Sequence, residues 1–254
     1  MRVEQLGEGE PSVAVVGAVH GDEPCGVRAI ERLLEDAPRA QAPVKLIVAN
    51  EEAVARGVRY IDADLNRAFG EEDGTGDHEY ELATRLAAEL EGCVGLSLHS
   101  TRSTAEPFAI INAAHERARA LCPYLSISAL VELTHNDGRI FAVDAELIEL
   151  EAGRQGTEQA AENAYRMARE FLTAAGVLAG SATGREVPRF ELGDAIPKPA
   201  GDYYRTVARN FEEVPAGEPF AEVDGEPLTA EGAFYPVLLS DDGYTDIFGY
   251  RATA

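Results

Sequence analysis

Two short apolar runs that each end in a histidine constrain this chain more than any other feature. Val13 to Val19 is a run of β-branched and small residues that stops at His20, and Val94 to Leu98 repeats the pattern before His99. Runs of this kind read as strands buried on both faces, as in parallel sheets covered by helices. After His20, Gly21 permits a tight turn. Glu23 and Pro24 then open a predicted helix over 26–35, with Pro tolerated in its first turn. Open α/β sheets hold ligands in the crevice beyond the carboxyl ends of their strands. His20 and Glu23, three residues apart in that position, can converge on one point, and imidazole with carboxylate suits a divalent metal such as zinc. Catalytic zinc usually takes three protein ligands, and His99 is the third candidate. Either histidine alone reads as readily as a strand-end residue bonded to its neighbours. The two placements together with Glu23 favour a metal.

The rest of the first two thirds alternates strand and helix. Val44 to Asn50, Pro107 to Asn112, Ser126 to Leu133 and Leu147 to Glu151 read as extended. Leu82, Leu86 and Leu90 recur at helical spacing in a predicted helix over 78–90, Ala113 to Leu121 reads as a further helix, and Thr157 caps a long one running to Ala175. Tyr60 to Phe69 has no clean period and is expected to be loop with a short turn. Asp73 to Gly76 is a mobile connection by composition. Beyond Gly184 the chain is rich in Pro, Gly and short alternating runs, with strands expected at Phe211–Val223, Ala233–Leu239 and Tyr244–Tyr250. The expected architecture is α/β: a mixed, mostly parallel sheet flanked by helices over residues 1–178, and a small β-rich C-terminal domain over 179–254.

Composition narrows the partners. The 254 residues carry 45 Asp and Glu against 22 Lys and Arg, a net charge of −23, and Lys45 and Lys198 are the only lysines. Such a surface repels nucleic acid and anionic membrane. Acidity combined with lysine depletion points to a high-salt cell interior, where screening relieves self-repulsion. No apolar run is long enough for a membrane span, and no leader pattern is evident. Cys25, Cys93 and Cys122 are few and scattered, which fits reduced, buried thiols in a cytoplasmic protein.

Five blocks in order along the chain resemble the succinylglutamate desuccinylase/aspartoacylase family, of zinc carboxypeptidase-like fold. They are His20-Gly21-Asp22-Glu23, Arg59 through Arg67 (RYIDADLNR), Leu98-His99-Ser100, Glu149-Leu150-Glu151-Ala152-Gly153, and more loosely Tyr235-Pro236-Val237 through Tyr244. The resemblance implies one zinc per chain held by His20, Glu23 and His99, with Glu151 as the general base. It implies that Arg59 stabilises an oxyanion, that Asn66 and Arg67 hold a substrate carboxylate, and that Tyr244 closes the pocket. The implied activity is metal-assisted hydrolysis of an N-acetyl or N-succinyl amino acid. A zinc carboxypeptidase acting on peptide C-termini, or a non-catalytic metal-dependent binding protein, would share part of this set, and a homo-oligomer is compatible with it. Departures from the family pattern fall at Asp22, usually Asn, at Arg154, and at Phe248, where vertebrate aspartoacylase has a substrate-facing Lys. Arg139 lies in the region expected to bind a second substrate carboxylate. His78, His115 and His135 match no family motif and read as surface residues.

Overall fold

A computed structural model describes residues 1–70, 76–134 and 139–254. The mobile connection expected at Asp73 to Gly76 lies almost wholly outside the described residues, as does His135. In chain order the elements begin β1 (Arg2–Leu6), β2 (Val13–Gly17), α1 (Cys25–Asp36), β3 (Val44–Val48) and α2 (Glu51–Arg56). A single 3-10 turn, Leu65–Arg67, precedes α3 (His78–Leu90), β4 (Val94–Thr101), β5 (Phe108–Asn112), α4 (Glu116–Leu121) and β6 (Leu130–Leu133). There follow β7 (Glu146–Arg154), α5 (Glu158–Ala174), β8 (Arg189–Pro197), β9 (Tyr204–Thr206), β10 (Pro219–Val223), β11 (Glu226–Thr229), β12 (Tyr235–Val237) and β13 (Ile247–Thr253).

Ten of these strands form one sheet in the order β1-β3-β2-β4-β7-β5-β6-β8-β13-β12. Its centre is parallel, through β3-β2-β4-β7, while β5 runs antiparallel to β7 and both ends are antiparallel. The result is a mixed sheet with flanking helices. One face carries Val13, Val15, Leu96, Leu98, Ile148 and Leu150 against α1 and α5. The other sets Ala14, Val16, Ile47 and Leu147 against Leu82, Leu86 and Leu90 of α3. Burying each large aliphatic or aromatic side chain contributes about 1.5–3 kcal/mol, so this double cover fixes the central strands firmly.

The C-terminal segment contributes in two ways. Its strands β8, β13 and β12 continue the large sheet, while β9, β10 and β11 make a separate three-stranded sheet packed on Phe220, Phe234 and Phe248. The expected strand over 211–223 forms only at Pro219–Val223, because Phe211 turns the chain with φ +67°. The last expected strand shifts to Ile247–Thr253 and the middle one shrinks to Tyr235–Val237. Neither His78 nor His115 is a simple surface residue. His78 Nε2 lies 3.2 Å from Asn50 Oδ1, and His115 Nδ1 accepts from Leu147 N at 3.2 Å. Among the described residues no helix is long and apolar enough to cross a membrane.

Two glycines let α1 and α2 pack closely around the turn after β2. A Cβ on Gly26 would lie 2.8 Å from Gly17 Cα and 3.1 Å from Leu98 Cβ, so the start of α1 can lie directly on the ends of β2 and β4. Gly21 is needed for the same reason, not for the turn alone: its Cβ would meet Ala53 C at 2.3 Å. Ala18, with φ +56°, redirects the chain at the end of β2 toward His20.

Candidate active site

Register in the sheet decides which side chains meet. In the parallel pair β4·β7, Ser97 faces Glu149 and His99 faces Glu151. Residues two apart on a strand share a face, so all four point to the side that α3 and the 59–69 segment cover. His20 and Glu23 reach the same spot from the turn after β2. His20 Nδ1 is 2.7 Å from Glu23 Oε1, and His99 Nδ1 is 3.2 Å from Glu23 Oε2. The amide of Ser100 also donates to Glu23 Oε2, at 3.0 Å. All three side chains are buried.

Polar neighbours surround each Nε2, with Arg59 Nη2 2.9 Å from that of His20. His20 Nε2 is 3.1 Å from Asp64 Oδ1, and His99 Nε2 is 3.0 Å from Ser97 Oγ. Both Nδ1 atoms meet the Glu23 carboxylate, and a metal there would take their lone pairs in place of protons. A carboxylate set between two imidazoles calls for positive charge, from protons on the rings or from a cation. Burial opposes a charge on His20, yet Glu23 and Asp64 outweigh it and raise its pKa to about 9. Glu23 sits well below the usual carboxylate range although burial opposes this, because His20 and His99 hold it ionised. The donor atoms of His20, Glu23 and His99 all lie within 4.8 Å of one another, and the set has the hardness and count that zinc takes.

Glu151, on the far side of His99, is different. Burial and the neighbouring charge of Glu23 push it up to about 8, and its Oε2 is buried with no hydrogen-bond partner among the described residues. An orphaned carboxylate oxygen beside three side chains that could hold a metal fits a group kept for a water or a cation.

The RYIDADLNR segment closes the opposite wall. Arg59 donates to Glu23 Oε1 at 3.1 Å and to Asp64 Oδ2 at 3.1 and 3.2 Å. Asn66 is locked at both ends of its amide, with Oδ1 accepting from Ile140 N at 2.9 Å and Nδ2 donating to Glu149 Oε1 at 2.6 Å. Arg67 donates to Asn66 O at 2.7 Å. A cavity of about 660 Å³ opens onto all of these, and Tyr244 and Arg139 also line it. Phe248 does not reach it, being fully buried among Tyr204 and Phe220.

Three further residues shape the site and carried no signal of their own in the sequence. Asp64 orients both His20 and Arg59. Glu149 bridges Asn66 toward Arg139, whose Nη1 is 3.8 Å from Glu149 Oε2. Glu79, in the first turn of α3, accepts the backbone amides of Ile61, Asp62 and Ala63 at 2.7, 2.9 and 3.1 Å. The last two could have been suspected only as acidic residues at positions where the pattern wants apolar ones.

The family model for the succinylglutamate desuccinylase/aspartoacylase catalytic domain matches residues 9–174. The chain belongs to that family. It is 28% identical to the human N-acyl-aromatic-L-amino acid amidohydrolase (carboxylate-forming), over 91% of this chain and 86% of that protein. It is 39% identical to the succinylglutamate desuccinylase of Burkholderia pseudomallei over 92 residues, 34% of this chain and a quarter (25%) of that protein. Among solved structures, the product-bound ectoine utilization protein EutE (DoeB) from Ruegeria pomeroyi superposes with a TM-score of 0.81 at 20% identity, covering 99% of this chain and 87% of that one. Murine aminoacylase 3 gives 0.74 at 22% identity and 96% coverage of both chains. These likenesses establish the zinc carboxypeptidase-like arrangement of this family member, with antiparallel strands added at its C-terminal end.

Proposed function

We propose that this family member is a zinc-dependent amidohydrolase that removes the acyl group from an N-acyl amino acid. One observation carries the reading: His20, Glu23 and His99 converge beside the half-buried carboxylate of Glu151, which has a buried oxygen to spare among the described residues. The names of its relatives support the reaction class. A bound zinc would supply Lewis acidity, acidifying water and polarising the scissile carbonyl.

The chain's own residues divide the remaining work. Glu151 takes the proton from the attacking water and passes it to the leaving amine. Arg59, held in place by Asp64, turns its guanidinium toward the oxygen on which negative charge develops. Arg67, which donates to the backbone carbonyl of Asn66, has the planar fork that grips a substrate carboxylate, with Asn66 beside it. Tyr244 closes the cavity from the C-terminal part, residues 179–254, over the catalytic part, 1–178.

The metal is tested first. Purified protein should carry about one zinc per chain, and His99→Ala should lose most of it on dialysis, since two donors hold zinc far less tightly than three. Undiminished zinc in that variant would remove His99 from the site. Kinetics then separate the two arginines on whichever member of an N-acetyl and N-succinyl amino-acid panel is hydrolysed. Arg59→Ala should lower kcat about 10²–10³-fold. Arg67→Ala should act mainly on KM, because its carboxylate is already present in the ground state. An exchange of the two signatures would mean the substrate lies in the opposite direction.

We infer also that the protein works in a salty, cytoplasmic setting. The net charge of −23 is self-repulsive, and the screening length falls from about 10 Å at 0.1 M salt to about 3 Å at 1 M. The melting temperature should therefore rise steadily across that range. A flat or falling series would refute the salt adaptation and leave the hydrolase reading intact.

A further inference from the structure

The cavity holds five cationic side chains, and four are already occupied. Arg59 is paired with Glu23 and Asp64, and Arg102 with Asp242 at 3.3 Å. Lys198 gives its ammonium to the carbonyls of Asp241 and Tyr244, at 2.7 Å each, and lies over the Tyr204 ring. Arg139, only 15% exposed at its side chain, faces Glu149. Arg67 alone has no ion-pair partner among the described residues, its donor going to Asn66 O.

Glu149 is the unusual member of this set. It is 3% exposed, it lines the cavity, and it lies one strand position pair below Glu151 on the same face of β7. One oxygen accepts from Asn66 at 2.6 Å, and the other faces the Arg139 guanidinium at 3.8 Å. A second carboxylate arriving at Arg139 would find that cation neutralised and would lie against Glu149 itself. Pairing it would require breaking an ion pair inside the protein, which strands a buried charge. Repulsive elements of this kind select against a ligand as effectively as attractive ones select for it.

We propose that Glu149 is the specificity-determining residue of this pocket, restricting it to N-acyl amino acids with one carboxylate, held at Arg67, and no second negative charge on acyl group or side chain. The inference rests on the amidohydrolase reading for the identity of the substrate, and on the charge arrangement alone for the restriction.

The test uses pairs of compounds that differ only by an acid and its amide: N-acetyl-L-glutamate against N-acetyl-L-glutamine, and N-acetyl-L-aspartate against N-acetyl-L-asparagine. Turnover is measured with the zinc-loaded enzyme, and binding by calorimetry with zinc-loaded Glu151→Gln. The amide of at least one pair should exceed its acid by about tenfold or more in kcat/KM and in affinity, as expected when a charge meets a like charge in a desolvated pocket. Glu149→Gln keeps an oxygen for Asn66 and frees Arg139, so it should raise kcat/KM for the acids and cut the ratio about tenfold. The comparison of acid with amide in the unaltered protein stands even if that variant folds poorly. Acids turned over or bound as well as amides would overturn the restriction while leaving the hydrolase reading in place. No binding of either amide would also overturn it. Amides bound in preference but never hydrolysed would do the reverse, refuting the hydrolase and keeping the charge rule. An unchanged ratio in well-folded Glu149→Gln would take the role away from Glu149.

Discussion

Replacing Glu151 by glutamine should abolish nearly all turnover, lowering kcat roughly 10²–10⁴-fold, the range for losing a positioned general base. The substitution is isosteric, so the packing around it has little reason to move. Zinc content should stay at the level of the unaltered protein, because His20, Glu23 and His99 do not depend on Glu151 for a hydrogen bond. Substrate binding should also persist, since the carboxylate grip is assigned to Arg67. The structural reason for expecting so large an effect is the state of the carboxyl group itself. It is half-buried beside His99 and Glu23, and its Oε2 is buried with no partner among the described residues. A merely structural buried carboxylate would have both oxygens bonded, as Glu79 does. Steady-state kinetics with metal analysis on the same preparation decide the matter. Near-normal kcat in a fully loaded variant would require another base, and the mechanism would have to be rebuilt around it.

The convergence of His20, Glu23 and His99 was legible because it is written locally. Two apolar runs lie in adjacent parallel strands, β2 pairing with β4 from Val13↔Val94 to Gly17↔Leu98, so both chains leave the same end of the sheet, His99 one residue past Leu98 and His20 three past Gly17. Glu151 and Arg59 came into view only through the resemblance, since a strand-end Glu and a loop Arg have ordinary surface readings. What stayed hidden is long-range. Asn66 meets Glu149 across 83 positions, and nothing in either segment names the other. Arg139 was marked only by its region of the chain, and its pairing with Glu149 depends on the approach of the 139–142 turn to β7. The missed edge strands have the same cause. Arg2 to Leu6 is mostly exposed and mostly polar, and it is a strand because β3 offers it an unpaired edge. Arg189 to Pro197 likewise takes its extended form from β6 and β13. The α2 helix is a six-residue element held by its Asn50 cap and a Gly57 terminus, too short to show a period.

Glu79 should prove the residue on which the RYIDADLNR segment hangs. Its carboxylate collects the backbone amides of Ile61, Asp62 and Ala63 and the side-chain amide of Asn50, the last at 2.8 Å. The bond is reciprocated, because Asp62 Oδ2 accepts from the His78 amide at 3.0 Å at the start of α3. Segment and helix therefore cap each other, and the negative charge in the first turn of α3 suits the helix dipole. Glu79→Ala leaves four donors in or near the interior without an acceptor. At about 1–3 kcal/mol for each orphaned group, part of it recovered by water, a loss of roughly 3–5 kcal/mol in stability is expected. Activity should fall too, since Arg59 and Asn66 flank the three anchored amides, and displacement by about 1 Å can cost 10²-fold in rate. Glu79→Gln should be intermediate in both respects, because one side of its amide would present N–H to N–H. A pH series adds a sign. Burial alone would raise the Glu79 pKa, but the three backbone amides and Asn50 hold it below its ordinary value of 4.5. A depressed folded-state value means a contribution that is complete above the unfolded-state pKa and is lost as pH falls through the folded one. The stability gap between the unaltered protein and Glu79→Gln, read from urea unfolding, should therefore be constant near neutrality and shrink once the pH drops below about 4.5. A Glu79→Ala protein as stable as the original, with kcat and KM unchanged, would show that the segment carries Arg59 and Asn66 into place without this anchor.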